Sequence, residues 1–290
     1  MPELLPFPVL DAHVHFWDRD RLDYPWLASV PSIARSHLPP EYWEEASTIP
    51  VGQIIFVEAG CATSVALDEN DWVMSLADQD SRIAGIVAQV PIDSGAETTK
   101  MLEILGKRPV VRGVRHIIQG ATDPEFCLRP SFVEGVRQLA DFDFTFDLCV
   151  HHSQLSSVIR LVDQCPDVRF VLDHVGKPDV RGGILEPWKT QLRELAARPH
   201  VWCKLSGLMT EANCGSWHIQ DFQPFLAEAN NAFGPNRIIY GSDWPVCRMA
   251  GSLEDWVSIL LAALKDSAAL EAVFVRNAQR CYRLKGSPSE

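Results

Sequence analysis

Three short runs carry side chains that could handle a water molecule or a metal ion. The first is Asp11-Ala12-His13-Val14-His15. Alternate residues of a strand project to one face, so His13 and His15 stand side by side if this run is extended. Two imidazoles so placed suit a divalent metal, or two donors to one substrate oxygen. The second run is Leu172-Asp173-His174-Val175-Gly176-Lys177-Pro178, and the third is Gly241-Ser242-Asp243-Trp244-Pro245. A carboxylate at Asp243 that faces His13 and His174 can take a proton from water. With an ordinary pKa near about 4 it is a modest base. It suffices where the electrophile is polarised or the water is metal-bound. Plainer roles compete: core imidazoles for His13 and His15, a helix cap for Asp243, a core hydrogen bond for His174. The four together favour chemistry.

These residues need a scaffold that brings distant strand ends to one place. Eight apolar runs, rich in Val, Ile and Phe, read as buried strands: 9–16, 52–59, 82–91, 110–118, 144–152, 168–176, 201–208 and 237–245. Stretches of helical period lie between them, such as DENDWVMSLADQ, SQLSSVIRLVDQC and DFQPFLAEANNAFG. Alternation of strand and helix implies parallel pairing. Eight units predict a (β/α)8 barrel, with its chemistry at the carboxyl ends of the strands. A doubly wound sheet is the alternative, but no GxGxxG or GxxxxGK[ST] turn follows any strand. We read residues 1–290 as one domain. The long aromatic, proline-rich segment 17–50 reads as a lid or pocket wall.

Composition narrows the partners. The chain of 290 residues has 26 Lys plus Arg against 38 Asp plus Glu, a formal charge of -12. That argues against nucleic acid or an anionic membrane as partner. No apolar run approaches the roughly 18 residues of a membrane span. The N-terminal residues MPELLPFPVLDAH lack the layout of a signal peptide. Eight scattered cysteines, with no CxxC, read as reduced thiols of a cytoplasmic protein. A monomer or homodimer is expected. Serine catalysis lacks a GxSxG elbow, and no thiol has an obvious histidine partner.

The runs HVHFW, LDYPWL, GVRHIIQ, FVLDHVGKP, CKLSGLMTEA and RIIYGSDWPVC together resemble the amidohydrolase superfamily. More closely, they resemble its lactonase branch of L-fuconolactonases and L-rhamnonolactonases, over residues 9 to 283. The resemblance implies a distorted (β/α)8 barrel of amidohydrolase type. It implies that His13, His15 and His174 orient and polarise a lactone carbonyl while Asp243 activates water. It makes Arg115, Lys204, Ser206, His151 and Trp26 substrate-contacting residues. Binuclear members carry a bridging lysine at the end of strand 4. Here that strand ends Val-Arg115-His-Ile, so two metals are not expected. One divalent cation, zinc first, on His13, His15, His174, Asp243 and Glu58 is one reading, and a metal-free site is the other.

The implied reaction is hydrolysis of a sugar lactone, L-fucono-lactone first, to its aldonic acid. The aromatics of segment 17–50 suit the CH face of a sugar ring. A 2-pyrone-dicarboxylate-type lactonase would need several arginines, for which only Arg115, Arg129 and Arg248 are candidates. A metal-dependent decarboxylase of the same superfamily and a non-catalytic binding barrel complete the alternatives.

Overall fold

The computed structural model describes residues 5–264 and 267–284. The ends of the expected 1–290 domain, including the first four residues of the N-terminal stretch, lie outside the described residues. Eight strands form a single sheet: β1 (Val9–Val14), β2 (Val51–Val57), β3 (Ile83–Gln89), β4 (Val111–Ile117), β5 (Thr145–Cys149), β6 (Arg169–Leu172), β7 (Val201–Leu205) and β8 (Ile238–Tyr240). They pair in sequence order and every pair is parallel. Each expected apolar run holds one of them. β1, β5, β7 and β8 are buried along their whole length. This is why those runs read as continuously apolar and not as alternating.

The barrel closes just beyond the last regular pair. The His15 amide donates to the Trp244 carbonyl at 2.8 Å, and the Asp243 amide to the His13 carbonyl at 2.9 Å. A second distortion re-aims the first strand. Asp11 pairs with Ile54 and Val14 with Phe56, so two residues of β1, Ala12 and His13, oppose the single Ile55. Such a bulge shifts the inward-facing set by one residue. Leu10 and Ala12 pack in the apolar floor with Ile55, Val57, Val171, Ile239 and Tyr282. Beyond the bulge, His13 and His15 take over the inward positions.

Helices separate successive strands: α2 (Ala66–Gln79), α3 (Ala96–Leu105), α4 (Pro130–Arg137), α5 (Leu155–Gln164), α6 (Trp188–Ala196), α7 (Ile219–Phe233) and α8 (Leu253–Ala263). α5 shows the logic. Leu155, Val158, Ile159, Leu161 and Val162 recur at helical spacing, and all are buried. α8 starts in a capping box, with the Ser252 hydroxyl accepting from the Asp255 amide and the Asp255 carboxylate accepting from the Ser252 amide. α9 (Ser267–Glu271), a π turn and α10 (Asn277–Cys281) carry the chain back under the barrel. There the Tyr282 hydroxyl donates to Asp147 at 2.7 Å.

Segment 17–50 holds α1 (Pro39–Glu45) and folds down over the closing seam. Trp17, Tyr24, Leu27, Ile33 and Tyr42 are buried. The Tyr42 hydroxyl donates to Asp11 at 2.8 Å, and the Trp244 indole to Glu45 at 2.9 Å. Among the described residues no helix is long and apolar enough to cross a membrane. All eight cysteines are unpaired, and only Cys214 is exposed.

Candidate active site

A cavity of about 270 Å³ opens where the strands end. His15, Trp26, Ala59, Gly60, Arg115, Ile117, Gln119, Cys149, His174, Lys177, Asp243 and Val246 line it. Trp26, Ala59, Gly60, Ile117 and Val246 give it apolar lining, and His15, Arg115, Gln119, His174, Lys177 and Asp243 give it polar groups. The Trp26 indole donates to the Ala59 carbonyl at 2.8 Å, which fixes that ring. Trp26 is the one member of segment 17–50 at the cavity; its other aromatics pack beneath.

Three imidazoles and a carboxylate converge at the cavity floor. His13 Nε2 lies 3.1 Å from His15 Nε2 and 3.6 Å from Asp243 Oδ1, and His15 Nε2 lies 3.3 Å from the same oxygen. His13, His174 and Asp243 each offer a ligand atom within 4.8 Å of the others. The second nitrogen of each ring is tied to the protein. His13 Nδ1 faces Asp173 at 3.4 Å, His15 Nδ1 bonds the Val57 carbonyl at 2.8 Å, and His174 Nδ1 bonds the Ser206 hydroxyl at 2.9 Å. Such ties fix ring orientation and tautomer. Backbone geometry contributes too. His174 and Asp243 both have left-handed φ, 54° and 62°. Gly207, at φ 63°, leaves room for the His174 ring; a Cβ there would come within 2.4 Å of Nδ1.

Burial sets the protonation states. It pushes His174 down to about 4, with Asp243 and Asp173 opposing. It holds His13 well below the usual imidazole range, assisted by the Lys204 ammonium. Burial alone would raise Asp243, but His174, His15 and His13 facing it outweigh that and keep it below the usual carboxylate range. Near neutral pH His13 and His174 are uncharged. The floor therefore presents an ionised Asp243 beside uncharged His13 and His174.

Beneath the floor runs a closed row of charges. Lys204 Nζ lies 2.6 Å from Asp147 and 3.2 Å from Asp173. Arg115 lies 3.2 Å from Asp173 and 2.6 Å from Glu58. No member is more than 4% exposed. Burial would push Asp173 up, but Lys204, His13 and Arg115 hold it well below the usual range. Burial opposes the charge on Lys204 as well, and Asp147 and Asp173 raise its pKa in spite of it.

The expected residues fall into distinct places. His13, His15, His174 and Asp243 come together. Arg115 and Trp26 line the cavity. Ser206 is buried and reaches the site only through His174. Lys204 is fully buried under His13, at 3.2 Å from Nδ1, and does not line the cavity. Glu58 stands apart from the expected ligand set, because Arg115 takes one carboxylate oxygen and the Gly60 amide takes the other, each at 2.6 Å. His151 faces a neighbouring hollow and not the cavity. Arg129 pairs with Asp123 at the surface, and Arg248 with Glu41 and Glu45. Sequence reasoning missed Asp147 as a site component and Asp173 as a partner of His13. A signal existed: an Asp inside the apolar run FTFDLC is costly unless paired. It also missed Lys177, Gln119 and Cys149 at the cavity. Burial raises the Cys149 thiol to about 11, so it stays protonated.

The family model described as amidohydrolase matches residues 10–284. The chain belongs to the amidohydrolase family. This amidohydrolase is 34% identical to the L-fucono-1,5-lactonase of Burkholderia multivorans, with 95% of this chain and 96% of that protein covered. It is 28% identical to the L-fucono-1,5-lactonase of Burkholderia ambifaria, covering 95% of each. A zinc-bound crystal structure of a Burkholderia multivorans amidohydrolase superposes with a TM-score of 0.87 at 33% identity, over 96% of this chain and all of that one. The donor set fits such a metal. His13, His15 and His174 offer ring nitrogens whose far nitrogens are anchored, and Asp243 adds an ionised oxygen.

Proposed function

We propose that this amidohydrolase opens a sugar lactone, L-fucono-1,5-lactone first, to its aldonic acid. The observation that carries the reading is the ionised Asp243 among three anchored imidazoles, on the floor of a cavity lined by both apolar and polar side chains. The two L-fucono-1,5-lactonases that align over 95% of the chain support the substrate class. A sugar lactone has an apolar CH face for Trp26, Ile117 and Val246, and hydroxyls for Gln119, His15 and Arg115.

Asp243 takes a proton from a water placed between it and the lactone carbonyl carbon. The water oxygen bonds to that carbon, and the carbonyl oxygen becomes an alkoxide. N–H groups directed into the cavity stabilise this charge in a site with little water. The intermediate collapses, the bond from the carbon to the ring oxygen breaks, and Asp243 returns the proton to that oxygen. One water is consumed and one hydroxy acid forms. A zinc ion on His13, His15, His174 and Asp243 would add Lewis-acid polarisation and a more acidic water. The aromatic dicarboxylate alternative loses support because Arg129 and Arg248 are paired away from the cavity.

A small-molecule substrate and a place in carbohydrate metabolism follow from this reading. Eight unpaired cysteines support a reducing compartment, the cytoplasm. A panel of sugar lactones followed by acid release, run with and without chelator, tests the reading. Turnover of L-fucono-1,5-lactone is expected, and the chelator arm reads the metal requirement. No turnover of any lactone, with carbon dioxide released from an aromatic acid, would overturn it.

A further inference from the structure

Three cations lie at or under the cavity, and two are already engaged. Lys204 is enclosed between Asp147 and Asp173 and does not line the cavity. Arg115 lines it, but its guanidinium is shared by Glu58 and Asp173. Lys177 differs. It lines the cavity beside His174, Asp243 and His15. Its ion-pair partner, Glu211, stands 3.8 Å away, a looser pair than the 2.6 and 3.2 Å contacts of Lys204 and Arg115. The ammonium is also close enough to His174 and Cys149 for its charge to be felt at both.

The backbone is shaped to bring Lys177 there. His174, Val175, Gly176 and Lys177 have φ of 54°, 55°, 71° and 46°, a complete left-handed turn in which only one residue is glycine. Each of the other three carries a steric cost. Such strain persists only where the surroundings impose it, and it gathers at functional sites. Here the Trp188 indole holds the Val175 carbonyl at 2.8 Å, and Val175 and Gly176 are buried. The result is that His174 and Lys177, three residues apart, face one cavity. Lys177 also forms the ridge to a second hollow of about 260 Å³, lined by His151, His152, Arg181 and Glu211 among others.

Lactone hydrolysis creates a carboxylate beside the anionic Asp243, and the opened chain is longer than the ring. Both changes call for a loosely held cation and adjoining space. We propose that Lys177 Nζ holds the lactone carbonyl oxygen and then the carboxylate of the opened polyhydroxy acid, with the adjoining hollow taking the extended chain. The assignment rests on the lactonase reading. The bond from water oxygen to carbonyl carbon forms, the bond to the ring oxygen breaks, and that oxygen takes the proton held by Asp243. The new carboxylic acid then releases its remaining proton to solvent, and the ammonium that held the alkoxide holds the carboxylate.

The test uses the full-length enzyme with L-fucono-1,5-lactone as substrate and sodium L-fuconate as inhibitor. Lys177→Met should lower kcat/KM about 100-fold, the cost of losing one oxyanion donor. It should weaken product inhibition at least about tenfold, as expected for removal of a charge partner. Lys177→Arg, which keeps the charge, should recover most of both. Glu211→Gln, which removes the competing carboxylate, should tighten product inhibition. Lys177→Met with unchanged kcat/KM and product inhibition, in an enzyme that turns over lactone, overturns the assignment and leaves the lactonase reading standing. If Lys177→Met fails to fold, Glu211→Gln decides: unchanged product inhibition overturns the assignment. A wild-type enzyme inert on every lactone fails the lactonase reading, and the Lys177 assignment falls with it.

Discussion

Two layers of the barrel mouth use the same residue types to opposite ends. In the upper layer Asp243 meets His13, His15 and His174, and the cavity reaches all but His13. In the lower layer Asp147, Lys204, Asp173, Arg115 and Glu58 alternate in sign, each within 3.2 Å of the next. An aspartate of the lower layer has its charge neutralised by fixed cations. Asp243 is neighboured by imidazoles and forms no ion pair with Lys or Arg among the described residues, so its lone pairs remain available to a water. The difference teaches that a strand-end carboxylate becomes a base when its neighbours are neutral, and a brace when they are charged. The lower layer also orients the upper one, because Asp173 faces His13 Nδ1 and favours the tautomer whose Nε2 lone pair turns to the cavity.

The sharpest way to break this comparison is Asp243→Asn. It should cost about 10⁴-fold in kcat, with the melting temperature nearly unchanged; full activity would remove Asp243 from the chemistry. Lys204→Met should do the reverse in kind. It strands Asp147 in the interior, leaves Asp173 to Arg115 alone, and should destabilise by about 3–5 kcal/mol in chemical denaturation. Adding Asp147→Asn should recover part of the loss. A Lys204→Met enzyme as stable as wild type would show that the row is not a brace.

Glu69 extends the comparison to a buried carboxyl with no ion-pair partner among the described residues. It faces the Ala59 amide at 3.3 Å. Burial and nearby Glu58 raise its pKa from 4.5 to about 8. Between those values the folded chain keeps a proton that the unfolded chain has released, so stability falls as pH rises through the window. Glu69→Gln stays neutral. Its stability should equal wild type near pH 4.5 and exceed it near pH 8 by on the order of 4 kcal/mol. Parallel pH profiles would refute the raised pKa. The smallest effect is expected from Ser206→Ala. Loss of the His174 tie should cost about 1 kcal/mol of stability and about tenfold in kcat/KM. An unaffected pH–rate profile and rate would show that His174 needs no anchor.

Much of the fold was legible because a fully buried parallel strand must be apolar almost throughout. All eight runs hold a strand, and His13, His15, His174 and Asp243 sit where those runs end. The bulge at Ala12–His13 was hidden, since one extra residue leaves no mark in an apolar run. Lys204 and Arg115 were expected to meet substrate because a cation near a strand end has no visible partner in sequence. Their partners, Asp147 at 57 residues from Lys204 and Glu58 at 57 from Arg115, appear only when strands pair. Tyr282 reaches Asp147 across 135 residues.

The sequence by itself determined the number and order of strands, the set of imidazoles and the carboxylate at their ends, and the resemblance to amidohydrolases. These are local matters: apolar runs, period and short motifs. Tertiary structure alone decided which charges are engaged and which are left for a ligand. It assigned Lys204 to the brace and Lys177 to the cavity, and it gave Glu58 to Arg115. The reason is that a charge acts over a few ångströms through its nearest partners, and in a parallel barrel those partners come from other strands.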